Sequence, residues 1–266
     1  MRPSKPRRQG QGPDHTEADP TSALIVGRHP VMEALRNRRP IAKIWVQVGS
    51  SREGSLREII GLAREARIPI VDTPKAHLDG MAAGLGAHQG VAAAASSHPI
   101  LNLDELLGRW GPSDQPMLVL LDGIQDPHNF GAILRVAEAA GVGGVIIPER
   151  RAVGFTPVVD KSSAGASEYV PVARVVNMVR TIEALQAKQF FVFAADPAGT
   201  TPYTQVDWRG RVALVIGGEG KGIRPLVRSR CDGLLSIPMA GRIQSLNASA
   251  AAAAIVFEMV RQRSKD

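Results

Sequence analysis

The apolar positions of this chain begin to cluster at about residue 22. Before that point Pro, Gly, Gln and charged residues leave almost nothing to bury, so residues 1–21 are expected to form a flexible basic tail. From Ala23 onward, Leu24-Ile25-Val26, Ile44-Trp45-Val46-Gln47-Val48 and Ile68-Pro69-Ile70-Val71 predict short strands, separated by helical periodicity near 30–37 and 54–66. Gln89 to Ala95 closes a small α/β unit over residues 22–97, and Ser96-Ser97-His98-Pro99 breaks the pattern. Residues 98–116, with Gly111-Pro112 and Gln115-Pro116, read as a linker carrying a short helix around 102–109.

A second unit, 117–266, opens with Met117-Leu118-Val119-Leu120-Leu121, a continuous apolar run ended by Asp122-Gly123. Such a run predicts a strand buried on both faces. Val145-Ile146-Ile147, Phe190-Phe191-Val192-Phe193, Val212-Ala213-Leu214-Val215-Ile216 and Leu234-Leu235-Ser236-Ile237 predict more strands, alternating with helices near 130–140, 177–188 and 247–262. The fold class is therefore α/β: a parallel sheet covered by helices, preceded by a smaller α/β domain. In such sheets ligands gather at the carboxyl ends of the strands.

Three loops at those ends are unusual in composition. In Asp122-Gly123-Ile124-Gln125-Asp126-Pro127-His128-Asn129, Asn129 stands where a helix begins and Gly141 where it stops, while Arg135 departs from the apolar stripe of Phe130, Ile133, Leu134 and Ala137. Taken alone, Asn129 reads as a cap and Arg135 as a solvated residue. The second loop, Gly217-Gly218-Glu219-Gly220-Lys221-Gly222, permits close backbone approach to a ligand. Its spacing does not match GxGxxG, it leaves a late strand, and it lacks the ending of a phosphate-binding P-loop, which argues against a nicotinamide-dependent dehydrogenase. The third loop runs from Ile237-Pro238-Met239 to Ser245-Leu246-Asn247 and leads into Ala250 to Ala254, with Ser245 or Asn247 available to cap the helix.

Composition narrows the chemistry. Lys and Arg number 32 against 25 Asp plus Glu, a formal net charge of +7 that favours a polyanionic partner. Aromatics are only 4% and nowhere interleave with basic residues, so an RNA partner is expected to be held by shape and phosphates rather than by base stacking. Cys231 is the single cysteine, and the six histidines show no metal-ligand spacing, so neither a disulfide framework nor a metal site is expected. Without an apolar run of about 18 residues or a signal-peptide pattern, the expectation is a soluble, unexported, cytoplasmic protein.

The three loops, in this order, resemble the three motifs of the SpoU (TrmH-like) family of RNA ribose 2′-O-methyltransferases in the SPOUT superfamily. Asn129 and Arg135, Gly217 to Gly220, and Ile237 to Met239 with Ser245 to Asn247 carry the resemblance. It implies an L30e-like RNA-binding domain at 22–97, a catalytic domain with a deep C-terminal trefoil knot at 117–266, and a homodimer. The implied cofactor is S-adenosylmethionine, lined by Gly217, Gly218, Ile237, Met239 and Leu246, with no metal. Asp122 to Asn129 and Ile237 to Gly241 look most like the RlmB-like branch, which implies a guanosine in the peptidyl-transferase loop of bacterial 23S rRNA, free or in a large-subunit precursor.

By the same resemblance Arg135 is the residue that activates the ribose hydroxyl. Because an arginine stays protonated, that role reads as positioning and alkoxide stabilisation. Asn129, Glu219, Ser245 and Asn247 are expected to orient Arg135, the ribose and the loops. Arg28, His29, Arg36, Arg38, Arg39 and Arg242 are the expected RNA contacts. The alternatives are another rRNA or a tRNA nucleotide, antibiotic-resistance methylation included, or a non-catalytic ribosome-assembly factor that keeps the fold.

Overall fold

A computed structural model describes residues 22–50 and 54–264, so the tail expected at 1–21 lies outside the described residues. The amino-terminal unit comprises β1 (Ser22–Val26), α1 (Arg28–Arg36), β2 (Ile41–Gln47), α2 (Gly54–Glu65), β3 (Ile70–Thr73), α3 (Lys75–Met81) and β4 (Val91–Ser96). Its sheet has the order β1-β4-β2-β3, with β4 antiparallel to β1 and β2, and β3 parallel to β2. The helical faces of Val31, Leu35, Leu56 and Ile59 meet Ile25, Ile44, Val46 and Ala93 in one core. Helix α3 escaped the sequence pattern because Leu78 is its one buried residue, too little for a period to show.

The larger unit comprises α4 (Leu103–Leu107), β5 (Met117–Asp122), α5 (Pro127–Ala139), β6 (Gly144–Pro148), α6 (Pro157–Ser162), β7 (Val172–Val175), α7 (Met178–Ala187), β8 (Phe191–Ala195), β9 (Thr201–Pro202), β10 (Val212–Gly217), α8 (Pro225–Arg228), β11 (Gly233–Ser236) and α9 (Ala248–Arg263). Its seven strands, ordered β7-β6-β5-β10-β8-β11-β9, pair in parallel throughout. The central strands explain the continuous apolar runs: Val119, Leu121, Leu214 and Ile216 pack against α5 and α9, while Leu118, Leu120, Ala213 and Val215 face the opposite core with Ile182 and Leu185 of α7. Parallel pairing sends the loops after β5, β10, β8 and β11 out of one edge. β7 was missed because it is four residues long at the sheet's edge with Arg174 exposed.

Arg39, expected to touch RNA, is instead buried where the two units meet. Its Nη1 donates to Glu168 Oε1 at 2.7 Å and its Nε to the Ser96 carbonyl at 2.7 Å. His98 Nε2 lies 2.6 Å from Asp160 Oδ1 and 2.8 Å from Arg39 Nη1, and its ring packs on Phe155 with centroids 4.2 Å apart. Nearby, Tyr169 donates to Glu33, whose carboxylate pushes the phenol pKa up to about 12. Segment 98–116 is packed as well: Leu101 bridges to Ala173, and Leu106 and Leu107 are buried. A buried charge cluster of this kind holds the two units in register, since separating them would strand carboxylates away from their partner.

Candidate active site

Helix α5 begins at Pro127, and the cap is Asp126, whose Oδ1 accepts the His128 amide at 2.9 Å. Asn129 is therefore not the cap but lies inside the first turn, buried and turned toward the other loops, while Gly141 with φ +67 ends the helix as anticipated. The loops after β5 and β10 touch backbone to backbone. Gly218 N donates to the Asp122 carbonyl at 3.0 Å, and a Cβ on Gly218 would stand 2.1 Å from the Gly123 oxygen. A Cβ on Gly217 would stand 2.4 Å from the Gly222 carbonyl carbon. Glycine is required here by contact within the protein, before any ligand enters.

A second link joins the same loops. The buried carboxylate of Asp122 accepts the Arg224 amide and Nε, each at 2.8 Å, and pairs with Nη2 at 2.7 Å. Sequence reading missed this pair, because Asp122 looked like the end of a strand and Arg224 lies 102 residues away in a segment without a motif.

The third loop enters through hydrogen bonds. Asn129 Nδ2 donates to Glu219 Oε1 at 2.8 Å, and Asn247 Nδ2 donates both to Asn129 Oδ1 and to Glu219 Oε1, each at 2.8 Å. Asn247 Oδ1 meanwhile accepts the Ser249 amide at 2.9 Å and caps α9. Asn247, rather than Ser245, is the cap. Glu219 Oε2 has no hydrogen-bond partner among the described residues, which leaves a carboxylate oxygen available at the loop junction.

Beside this junction lies a cavity of about 480 Å³ lined by Gly217, Gly218, Glu219, Ile237, Met239, Ser245, Leu246 and Asn247. Ala195 at the end of β8, with Asp196 and Pro197 after it, completes its wall. Their plain composition gave no sign; only the position of β8 beside β10 and β11 points to them. The five residues expected around the cofactor thus share one wall, and the volume suits a small-molecule site. Apolar Ile216, Leu235, Ile237 and Leu246, with exposed polar points at Glu219 and Asn247, form a lining suited to a ligand with a flat apolar part and a polar, charged part.

Arg135 departs from expectation. It is exposed, does not line the cavity, and makes no hydrogen bond or ion pair among the described residues, so Asn129, Glu219 and Asn247 do not hold it. Lying six residues beyond Asn129, it is about 9 Å farther along the helix axis. Ser245 lines the cavity but joins no hydrogen bond of the network. Of the expected RNA contacts, Arg36 is paired with Glu33 and Glu58, Arg28 donates to the Gln89 carbonyl at 2.8 Å, and His29, Arg38 and Arg242 are exposed. Burial, then the neighbouring Asp232 and Asp122, pushes the Cys231 thiol up to about 12, so it stays protonated. Among the described residues no group of three or more His, Cys, Asp or Glu is placed to hold a metal, and no helix is long and apolar enough to cross a membrane.

Comparison with known proteins matches residues 116–257 to the SpoU rRNA methylase family and residues 24–100 to the domain described as RNA 2′-O ribose methyltransferase substrate binding. YacO of Bacillus subtilis (strain 168), assigned to the TrmH family of tRNA/rRNA methyltransferases, is 40% identical over 240 residues, covering 90% of this chain and 95% of that protein. A relative with the same assignment in Staphylococcus aureus (strain COL) is 42% identical over 241 residues, 90% of this chain and 96% of its own. Among solved structures, the SpoU methyltransferase AviRb from Streptomyces viridochromogenes, in complex with AdoMet, superposes with a TM-score of 0.78 at 28% identity, covering 92% of this chain and 91% of that one. An RNA 2′-O ribose methyltransferase at 24% identity shares the fold with a TM-score of 0.78, covering 92% of this chain and 90% of its own.

Proposed function

The chain belongs to the SpoU rRNA methylase family, and on that footing we propose that it methylates a ribose 2′-hydroxyl of structured RNA with S-adenosylmethionine as donor, its target a guanosine in the peptidyl-transferase loop of bacterial 23S rRNA. The observation that carries the reading is the Asn129–Glu219–Asn247 junction, which gathers all three loops beside one cavity. A binding module has no need to tie these loops together at a ligand-sized cavity.

S-adenosylmethionine supplies an electrophilic methyl on a sulfonium. Backbone groups of Gly217 and Gly218, with Ile237, Met239 and Leu246, would hold it. The junction fixes the loops before substrate arrives, so little reorganisation is left for the reaction itself. Arg135 touches the RNA rather than the cofactor: its unpaired guanidinium, always charged, positions the ribose and its phosphate and stabilises the developing alkoxide, while the proton leaves to phosphate or water. Glu219 and Ser245, which line the cavity, orient the ribose at its edge.

The reading extends to a catalytic domain at 117–266 with a trefoil knot at its carboxyl end, an L30e-like RNA-binding domain at 22–97, a homodimer, and action in the cytoplasm on rRNA or a large-subunit precursor. The convergence of 217–222 and 237–247 on one cavity supports the knot, and the exposed Ile243, Leu246 and Phe257 support a covered face in a dimer. The direct test is transfer of labelled methyl to bacterial large-subunit rRNA, with the product mapped by primer extension at low nucleotide concentration. A single stop at a peptidyl-transferase-loop guanosine is the expected result. A stop elsewhere replaces the target, and no incorporation into naked rRNA or precursor subunits overturns the enzyme reading.

A further inference from the structure

Several arginines are neutralised: Arg36, Arg224 and Arg228 each pair with a carboxylate at the surface, and Arg39 does so in the domain junction. Arg150 and Arg151, in the loop after β6, and Arg174, in β7, do not. All three are exposed, and none forms a side-chain hydrogen bond or ion pair with another described residue. Glu149, exposed in the same loop, makes no ion pair with them. An unneutralised cluster in a chain with 25 acidic residues leaves a local excess of positive charge, the electrostatic form of a polyanion contact.

Its place in the fold is specific. β6 pairs with β5 and β7 with β6, both in parallel, so the cluster leaves the same sheet edge as the loops of the proposed active site. The loop after β6 is tied to the first of these, with Val153 N donating to the Ile124 carbonyl at 3.1 Å. Arg151 sits at φ +62, a conformation uncommon for a residue with a side chain, which bends the loop at the arginine pair. The Arg174 guanidinium lies over Gly154 in that loop, where a Cβ would stand 3.3 Å from Nη2. From β7 to β10, which borders the cavity, is three inter-strand spacings, about 14 Å. The three guanidiniums thus stand on the edge from which the loops beside Asn129 and the cavity also leave, with Asp104 and Glu105 sharing the pocket that Arg174 lines.

We infer that Arg150, Arg151 and Arg174 form a phosphate track that guides the RNA strand flanking the target nucleotide along the carboxyl edge of the sheet. The inference rests on the RNA-methyltransferase reading and adds the surface that seats the substrate. Guanidinium groups suit this because their planar donors match phosphate oxygens.

The test uses the full chain with a large-subunit rRNA transcript and compares wild type, the triple variant Arg150→Gln, Arg151→Gln, Arg174→Gln, and the corresponding triple Lys variant. The slope of log affinity against log salt should fall by about 2 in the Gln triple, and KM for RNA should rise about tenfold or more. Maximal rate at saturating RNA and affinity for S-adenosylmethionine should hold, and the Lys triple should recover the slope. If wild type transfers methyl and the Gln triple matches its slope and KM, the track is overturned while the activity stands. If wild type binds RNA without transferring methyl and the Gln triple lowers the slope, the track stands and the chemistry falls. A wild type that binds no RNA overturns both. Loss of binding to assembled subunits with naked rRNA unaffected assigns the patch to a protein partner and overturns the track.

Discussion

Asn129 and Asn247, 118 residues apart in sequence, share a hydrogen bond of 2.8 Å, and through it the first turn of α5 is locked to the cap of α9. Asn247 uses its whole amide: both hydrogens go to Asn129 and Glu219, and the oxygen caps the helix.

Two substitutions separate these tasks. Asn247→Ala removes cap and donors together and should cost about 1 kcal/mol for the cap, with about 1 kcal/mol more for the acceptor left unmet on buried Asn129. Asn247→Asp keeps the cap but sets a carboxylate against Glu219, so in denaturant titration it should stay closer to wild type than Ala while methyl transfer falls about tenfold or more. Full activity in the Asp variant would remove the junction from the mechanism.

Arg135→Ala removes a group that lines no part of the cavity. Single-turnover methyl transfer should fall by about 10² to 10³, the scale of losing one charge-stabilising donor, with calorimetric affinity for S-adenosylmethionine unchanged. Normal turnover in this variant would withdraw the role assigned to Arg135.

Gly218→Ala places a Cβ 2.1 Å from the Gly123 oxygen, and both neighbours are backbone, so the loops after β5 and β10 must part. Thermal unfolding should show a loss of about 1–3 kcal/mol. Cofactor affinity should drop with it, since Gly218 lines the cavity. An Ala variant that binds cofactor normally would show the contact to be yielding.

Arg39→Ala strands Glu168 in a buried place and should cost about 3–5 kcal/mol in equilibrium unfolding. Because Arg39 is not on the surface, the salt dependence of RNA binding, measured at a temperature where the variant is folded, should not change. A reduced slope would restore it to the RNA contacts.

The fold was legible in the sequence to the extent that burial is periodic. The runs at 117–121 and 212–216 announced strands covered on both faces, and the alternation with helices announced a parallel sheet. The glycine loop stood out by composition and read as close approach to a ligand, whereas the contact that requires Gly217 and Gly218 is with the protein's own backbone. Short edge elements were not legible: β7, four residues long, and β9, two, are too short for a pattern to rise above chance.

The sequence by itself determined which residues are chemically able to serve: Asn129, Glu219 and Asn247 at loop positions, and Arg135 off its helix's apolar stripe. Tertiary structure alone decided which of them meet. It joined Asn129 to Glu219 across 90 residues, left Arg135 free in solvent, drew Arg39 into the domain junction, and set Arg150, Arg151 and Arg174 at the carboxyl edge of the sheet. The physical reason is that hydrophobic periodicity reports only which face of a local element is buried. The partner of a polar side chain depends instead on which distant elements pack together, and strand order and register determine that only once the whole chain has folded.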